Sequence, residues 1–291
     1  MDETLDQTLS LLHQATFGAE ISRTSLNDVL NWVKSADFQK FKELTHPHSG
    51  LRIQPSHNNS NKVVVFALYS HSQFYGYGRV YSTFTSMERQ LRYLFFKDTL
   101  AELDAANFVP QTLYQISIKL QPPIHCPELA RFVTNRDHYY RKVAALGLND
   151  HHDPKIFVLA LLNQAERDTW PPHAFFLRQL QRELRQLKER FNQGNPFIAV
   201  NPEKGRKVDT VLCRWMEILE VSILEILLNH LQSKGCLKQS YIPIHDGILI
   251  DKHSKVCLQS VSDKVHQETG FRYKYRLKPL KSNPESFFCL E

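Results

Sequence analysis

The chain has few of the features that define secreted, zinc-binding or membrane proteins. Its cysteines are Cys126, Cys213, Cys236, Cys257 and Cys289. None forms a C-x-x-C pair typical of a zinc knuckle, and an odd number argues against a full disulfide framework. The first twelve residues include acids and no apolar core of a signal peptide, and no apolar run approaches the ~20 residues that span a bilayer. These absences predict a cytoplasmic protein, in a reducing compartment, without a membrane partner.

Internal repeats, low-complexity tracts and the composition of long disordered segments are also missing. Apolar residues make up 42% of the 291 residues and charged residues 23%, which is ordinary for a globular protein. The formal net charge is +6, and the isoelectric point is about 9.0. An excess of Lys and Arg favours polyanionic partners, nucleic acid above all, although many basic proteins bind none.

The hydrophobic patterns predict an α+β protein, because helices and strands occur without regular alternation. Helices are predicted over residues 4–45 with breaks, 87–96, from 110 onward, 126–163 with an interruption at 147–154, 173–191, 208–232 and 256–270. Strands are predicted over residues 63–69, 100–103 and 271–280. Residues 45–62, rich in His, Pro, Ser and Asn, predict a loop. Residues 241–251, YIPIHDGILID, predict a hairpin whose turn uses Gly247.

Two aspartates stand where predicted strands meet turns. Asp104 follows the strand at 100–103, and Asp246 lies at the tip of the hairpin. If the two strand ends are adjacent, the carboxylates converge and recruit hard divalent cations. Two such ions about 4 Å apart can activate an attacking oxygen and stabilise a leaving one, as in-line phosphoryl transfer requires. Taken singly, either aspartate is more often a cap or turn residue, and turn chemistry alone explains Asp-Gly.

The segments around Asp104 resemble the stretch leading into motif A of family A DNA polymerases. GRVYSTFTSMERQLRYLFF precedes LAELDAANFVPQTLY in the chain. In that family a Gly-Arg pair, a later Arg and a strand carrying the first metal-binding Asp follow in order. The matching residues here are Gly78, Arg79, Arg92 and Asp104.

Two further segments resemble motifs B and C of the same family. RDHYYRKVAALGLNDHHDPKIFVLALLN is similar to the approach to motif B and its helix, with Lys155 at the family's essential lysine. IPIHDGILI is similar to motif C, whose His-Asp pair matches His245 and Asp246. Phage-type single-subunit RNA polymerases are equally close in motif C. The order of the motifs is that of the family, and the resemblance covers residues 76–270.

This resemblance implies a compact polymerase palm with a small antiparallel sheet. The implied regions are a helical, thumb-like residues 1–62, a first palm part at 63–120, reduced helical fingers at 121–206 and a second palm part at 207–291. The implied activity is template-directed nucleotidyl transfer from dNTP or NTP onto a polynucleotide, with a primer and template as partners. Accessory replication proteins and a role in a phage, plasmid or other mobile element suit so small an enzyme.

The resemblance also implies roles for individual residues. Asp104 and Asp246 would bind two Mg²⁺ or Mn²⁺ ions, with the backbone carbonyl of Ala105 helping. Lys155 would meet the triphosphate and could protonate the pyrophosphate leaving group. The implied contacts with triphosphate, primer or template are Arg79, His151, Asn163 and His245.

Each of these candidates has a plain structural interpretation as well. Lys155 is otherwise a solvated helix lysine, and Asn163 a buried amide with satisfied hydrogen bonds. The basic face of the predicted helix 173–191 could follow a phosphate backbone. A solvated helix face explains it equally well, and from the sequence we favour that interpretation. Its basic residues are Arg178, Arg182, Arg185 and Lys188.

The chain departs from the DNA polymerases of the family at four motif positions. It has His151 in place of Arg, Asn163 in place of Tyr, and both Val109 and Gly247 in place of Glu. The choice between deoxyribose and ribose, and between a DNA and an RNA template, therefore stays open. Two other functions also stay open: a catalytically inactive palm-fold protein that binds nucleic acid, and a phosphodiesterase or nuclease using the same two aspartates.

Overall fold

The structure, a computed structural model, shows an α+β protein with a small antiparallel sheet. The chain divides into two units, Met1–Ala106 with Ile218–Glu291 (unit 1) and Asn107–Glu217 (unit 2). The described residues are 16–22, 51–55, 62–68, 70–71, 80–81, 83–87, 89–147, 154–163, 173–194, 208–237, 241–244 and 247–281. The predicted bounds of the thumb-like, palm and fingers regions stay predictions.

Unit 1 begins with a three-stranded antiparallel sheet. Its strands are β1 (Thr16–Ser22), β2 (Leu51–Pro55) and β3 (Lys62–Leu68), in the order β1-β3-β2. β3 confirms the strand predicted at 63–69. The helix predicted across 4–45 is wrong at β1, and the loop predicted across 45–62 is wrong at β2. Both segments pair along their whole length with β3, whose centre is β-branched, and this pairing outweighs local propensity.

A short connection leads from this sheet to the next. β4 (Ser70–His71) pairs with β5 (Val80–Tyr81), and helices α1 (Thr83–Ser86) and α2 (Arg89–Phe96) follow. α2 confirms the helix predicted at 87–96. The rings of Phe84 and Phe96 are fully buried and meet edge to face with centroids 5.5 Å apart. This aromatic pair anchors both helices in the core of unit 1.

The second sheet of unit 1 has four antiparallel strands. They are β6 (Leu100–Ala105), β7 (Tyr241–Ile244), β8 (Gly247–Asp251) and β9 (Tyr275–Pro279), in the order β7-β8-β6-β9. β7 and β8 form the predicted hairpin, and β9 lies within the predicted strand at 271–280. Helix α9 (Leu258–Thr269) packs against β9 and ends at Gly270, whose φ of 73° suits a glycine after a helix end.

Unit 2 is helical in the part that the structure describes. Its helices are α3 (Phe108–Lys119), α4 (Pro127–Thr134), α5 (Arg136–Ala144), α6 (Pro154–Asn163) and α7 (Phe175–Gly194). Helix α8 (Val208–Ser233) begins in unit 2 and ends in unit 1. The helices predicted from residue 110 onward, at 126–163, 173–191 and 208–232 are confirmed. Proline stands in the first turn of α3, α4 and α6, where its missing N–H costs no hydrogen bond.

A buried carboxylate joins two helices of unit 2. Glu183 on α7 is 1% exposed and accepts hydrogen bonds from the backbone N–H groups of Glu128 (3.1 Å) and Leu129 (3.0 Å) at the start of α4. These N–H groups have no partner within their own helix, so Glu183 caps α4 from a distant part of the chain. Burial, together with the charge of Glu183, raises the pKa of the Cys126 thiol to about 11.

Within the residues that the structure describes, no helix is both long and apolar enough to cross a bilayer. The leucine-rich parts of the helices predicted near residues 5–12 and 26–33 lie outside the described residues.

Candidate active site

The candidate site lies on β6, which has a strand on each side. β6 pairs with β8 and with β9, and its side chains alternate between the two faces of the sheet. Leu103 and Ala105 are buried on one face, at 0% and 3% exposure, while Glu102 and Asp104 lie on the other. The strand ends at Ala105, two residues beyond the predicted strand at 100–103, so Asp104 is held by ladder pairing and not by a turn.

Lys278 on β9 bridges the two carboxylates. Its Nζ donates to Oδ2 of Asp104 at 2.7 Å and lies 3.3 Å from Oε2 of Glu102. Lys278 is the register partner of Glu102, so it reaches Asp104 diagonally across the strands. Burial alone would lower the pKa of Lys278. The hydrogen bond to Asp104 and the charges of Glu102 and Asp104 outweigh burial and raise its pKa above the ordinary value.

The second oxygen of Asp104 lacks such a partner. Oδ1 is buried, and no hydrogen bond to it exists among the residues that the structure describes. Buried acceptor oxygens are almost always satisfied by protein, water or an ion. A carboxylate oxygen of this kind is the donor that Mg²⁺ and Mn²⁺ prefer. Asp104 therefore fits the divalent cation that the resemblance implies.

Gly247 permits the close approach of β8 to β6 at Asp104. The two residues are register partners, and a Cβ at position 247 would lie 2.7 Å from the carbonyl oxygen of Leu103 and 3.2 Å from Cβ of Asp104. No side chain fits there without moving the β6 backbone. From the sequence, Gly247 was noted only as a departure from a Glu of the family. A glycine inside a strand pattern is the sequence feature that indicates a close backbone approach.

Asp246, the second carboxylate predicted for the site, is not among the described residues. Ile244, the last residue of β7, pairs with Gly247, the first residue of β8. His245 and Asp246 are the two residues between them in the chain. Among the described residues, no group of three or more His, Cys, Asp and Glu side chains is placed to hold a metal ion. The roles predicted for His245, Asp246 and the backbone carbonyl of Ala105 stay predictions.

Two of the predicted substrate contacts, Lys155 and Asn163, belong to unit 2. Lys155 is the second residue of α6 and is exposed, because Phe157, Val158, Leu161 and Leu162 form the buried side of that helix. Asn163 is the last residue of α6. Arg79 and His151 lie outside the described residues. The substrate contacts predicted for all four residues stay predictions.

The exposed charges of unit 2 are nearly all basic. Asp137 and Glu189 are the exposed acids among its described residues. The exposed bases are Lys119, Arg131, Arg141, Lys142, Lys155, Arg178, Arg182, Arg185 and Arg190. We call Arg178, Arg182 and Arg185, which follow one another along the outer side of α7, the α7 arginine row.

Helix α5 contacts α7 near the start of this row. Tyr139 on α5 meets Phe176 on α7 with ring centroids 5.1 Å apart, and Nζ of Lys142 lies 4.5 Å from the Phe176 ring. Arg185 pairs with Glu189 at 3.3 Å. Lys188, grouped with the basic face from the sequence, is 6% exposed, so its inclusion was wrong. Helical spacing alone does not distinguish a buried lysine from a solvated one at the edge of a basic face.

Lys278 is the residue that the sequence interpretation missed. The strand at 271–280 was predicted, but its register against β6 was not, and only the register brings Lys278 to Glu102 and Asp104. Alternation in YRLKP puts Arg276 and Lys278 on one face, which is the signal available in the sequence.

Comparison with known proteins does not identify a family. No protein-family model matches the chain, and no curated protein matches it significantly. The motifs and the geometry around Asp104 are therefore the features of this chain that point to a function.

Proposed function

We propose that the protein is a template-directed nucleotidyltransferase that extends a polynucleotide by two-metal-ion phosphoryl transfer, with Asp104 and Asp246 as metal ligands. The observation that carries this proposal is Oδ1 of Asp104, which is buried on an inner strand, has no hydrogen-bond partner among the described residues, and lies directly beside the Gly247 end of the hairpin. A small antiparallel sheet presenting a strand aspartate beside a hairpin is also what a polymerase palm requires.

Chain connectivity supports a site shared by the two aspartates. Asp104 pairs with Gly247, and Asp246 is bonded to Gly247. Consecutive Cα atoms are about 3.8 Å apart and paired Cα atoms about 5 Å apart, so the Cα atoms of residues 104 and 246 can be at most about 9 Å apart. Carboxyl groups on such neighbouring backbones can share two ions about 4 Å apart.

The residues divide the chemistry between binding and orientation. When bound, two Mg²⁺ or Mn²⁺ ions would activate a primer hydroxyl and stabilise the leaving pyrophosphate. Asp104 and Asp246 would hold them, together with the carbonyl of Ala105. Lys155 would bind the triphosphate, offset its growing negative charge and donate a proton to the pyrophosphate oxygen. Further substrate contacts would come from Arg79, His151, Asn163 and His245.

The basic surface of unit 2 supports a nucleic-acid partner. Its described residues include nine exposed bases and only two exposed acids. Phosphate contacts from Lys and Arg supply most of the sequence-independent affinity for nucleic acid. The α7 arginine row spans about 10 Å along its helix, from the rise of 1.5 Å per residue, which is enough to meet more than one phosphate of a strand.

One observation favours a catalytically inactive palm-fold protein that binds nucleic acid. Lys278 already supplies a positive charge to Asp104 at 2.7 Å. A protein that no longer needs metal would use such an ion pair to neutralise the carboxylates of its sheet. Under this alternative, nucleic-acid binding would need the bases of unit 2 and would not need Asp104.

A primer-extension assay separates these functions. The protein is incubated with a labelled primed template, Mg²⁺, and either dNTPs or NTPs. We expect Asp104→Asn and Asp246→Asn to lower the extension rate at least about a hundredfold, because each removes a ligand charge that stabilises the transition state. Asp263→Asn, an exposed acid-to-amide change on α9, is the matched control and keeps the wild-type rate.

The remaining outcomes each contradict the proposal in a different way. Binding of the primed template without synthesis by the wild type, unchanged in both aspartate variants, would establish the inactive palm. Degradation of the primer in the absence of nucleotides, lost in Asp104→Asn, would establish a nuclease.

A further inference from the structure

Lys278 would compete with a metal ion for the carboxylate of Asp104. Its ammonium group touches Oδ2 of Asp104, while Oδ1 of the same carboxylate has no described partner. A divalent cation bound to Oδ1 would lie within a few ångströms of that ammonium, since both ligand distances are short. Two cations at this separation repel each other strongly in a partly buried site. Metal and ammonium therefore cannot both hold Asp104 without a large repulsion.

Glu102 offers the ammonium a second position. It lies two residues before Asp104 on the same face of β6, about 7 Å away along the strand. Glu102 stands opposite Lys278 in the register, and Oε2 is already 3.3 Å from Nζ. A small rotation of the long, partly exposed lysine side chain would transfer its hydrogen bond from Asp104 to Glu102. The backbone of β9 would not need to move.

We propose that Lys278 is a displaceable counterion of the metal site, and that Glu102 receives its ammonium group when a divalent cation binds Asp104. This inference rests on the proposed function, since it requires Asp104 to be a metal ligand. Lys278 and Glu102 are then positioning residues: they set the affinity for the first metal ion without coordinating it. The two residues have opposite effects, because one competes with the metal and the other removes the competitor.

The test is metal binding to the full chain, measured with Mn²⁺ alone by calorimetry and by the paramagnetic resonance signal of free Mn²⁺. We expect Lys278→Met to tighten Mn²⁺ binding about tenfold, which is a change of about 1.4 kcal/mol. We expect Glu102→Gln to weaken it, because the ammonium then stays on Asp104. Lys274→Met removes an exposed lysine four residues away and should leave the affinity unchanged.

A double substitution tells a receiving carboxylate from a metal ligand. If Glu102 acts through Lys278, Glu102→Gln has no effect on Mn²⁺ affinity in the Lys278→Met background. If Glu102 coordinates the metal, the same substitution weakens binding in both backgrounds, and the inference is wrong. Lys278→Gln removes the charge while keeping a hydrogen-bonding end, and it provides the same comparison if Lys278→Met does not fold.

The outcomes also separate this inference from the proposed function. Loss of Mn²⁺ binding in Asp104→Asn with unchanged affinity in Lys278→Met and Lys278→Gln would overturn the counterion role alone. Equal Mn²⁺ binding by the wild type and Asp104→Asn would remove Asp104 as a ligand, and both proposals would fail together.

Discussion

The two units carry opposite kinds of chemistry on different kinds of scaffold. In unit 1, an inner strand holds Glu102 and Asp104 in fixed register with a lysine and a glycine on its neighbours. In unit 2, bases lie exposed along helices, and partners such as Glu189 beside Arg185 are single surface groups. The first arrangement suits precise coordination of a small ion, and the second suits a long, flexible polyanion. The contrast predicts that substitutions around Asp104 and in the α7 arginine row will separate chemistry from binding.

The largest effect on stability is expected from Gly247→Ala. The added methyl would lie 2.7 Å from the Leu103 carbonyl oxygen, and backbone cannot yield as a flexible side chain can. We expect a loss of about 3 kcal/mol in the free energy of unfolding, as for overpacked cores, measured by denaturant unfolding. Gly194→Ala, which meets nothing within 4 Å, is the control. Equal stability of the two variants would mean that β6 and β8 lie further apart at this point.

An effect of similar size, on nucleic-acid affinity and not on folding, is expected when the α7 arginine row is substituted. Changing Arg178, Arg182 and Arg185 together to Gln should weaken binding of a primed template about a hundredfold at low salt, and reduce the salt slope by up to about 3. The measurement is fluorescence anisotropy at several salt concentrations. The control loses three exposed lysines of unit 1, Lys234, Lys252 and Lys255. If both triple variants lose the same affinity, net charge and not the row determines binding.

A smaller effect, confined to the fold of unit 2, is expected from Glu183→Gln. The amide oxygen can accept one of the two backbone hydrogen bonds at the start of α4, while its NH2 group faces the other donor. We expect a loss of about 2 kcal/mol, the usual consequence of leaving a buried donor unsatisfied. Thermal unfolding gives the value, and Glu189→Gln, on the exposed side of the same helix, is the comparison. Unchanged stability would show that the α4 start is satisfied in another way.

The smallest effect on stability near neutral pH is expected from the ionisation of the Cys126 thiol. Its pKa is raised from 9.0 to about 11 in the folded protein. A thiol with a raised folded pKa contributes stability that is complete below pH 9 and is lost as the pH rises towards 11. Wild type should therefore lose more stability than Cys126→Ala between pH 8.5 and 11, in parallel thermal unfolding series. Parallel curves would show that the buried thiol does not control this titration.

The sequence predicted the elements whose signals are local. The hairpin of YIPIHDGILID and the long helices α7 and α8 follow from alternation and from helical spacing alone. β1 and β2 were mispredicted because their strand state depends on pairing with β3, which begins 40 residues after the end of β1. The same limit applies to the site. Asp104 could be identified from the end of an apolar strand, whereas its contact with Lys278 requires the register of β6 and β9, 174 residues apart in sequence.

The glycine at the β6–β8 contact also constrains how the site could be redesigned. A third acid beside Asp104 cannot be added at position 247, because hydrogen is all that the neighbouring backbone leaves room for. The other register partner of Asp104 is Arg276, whose side chain is exposed. A further acid would therefore have to replace Arg276 on β9. A carboxylate at that position would extend into solvent, whereas one at position 247 would clash with a backbone carbonyl.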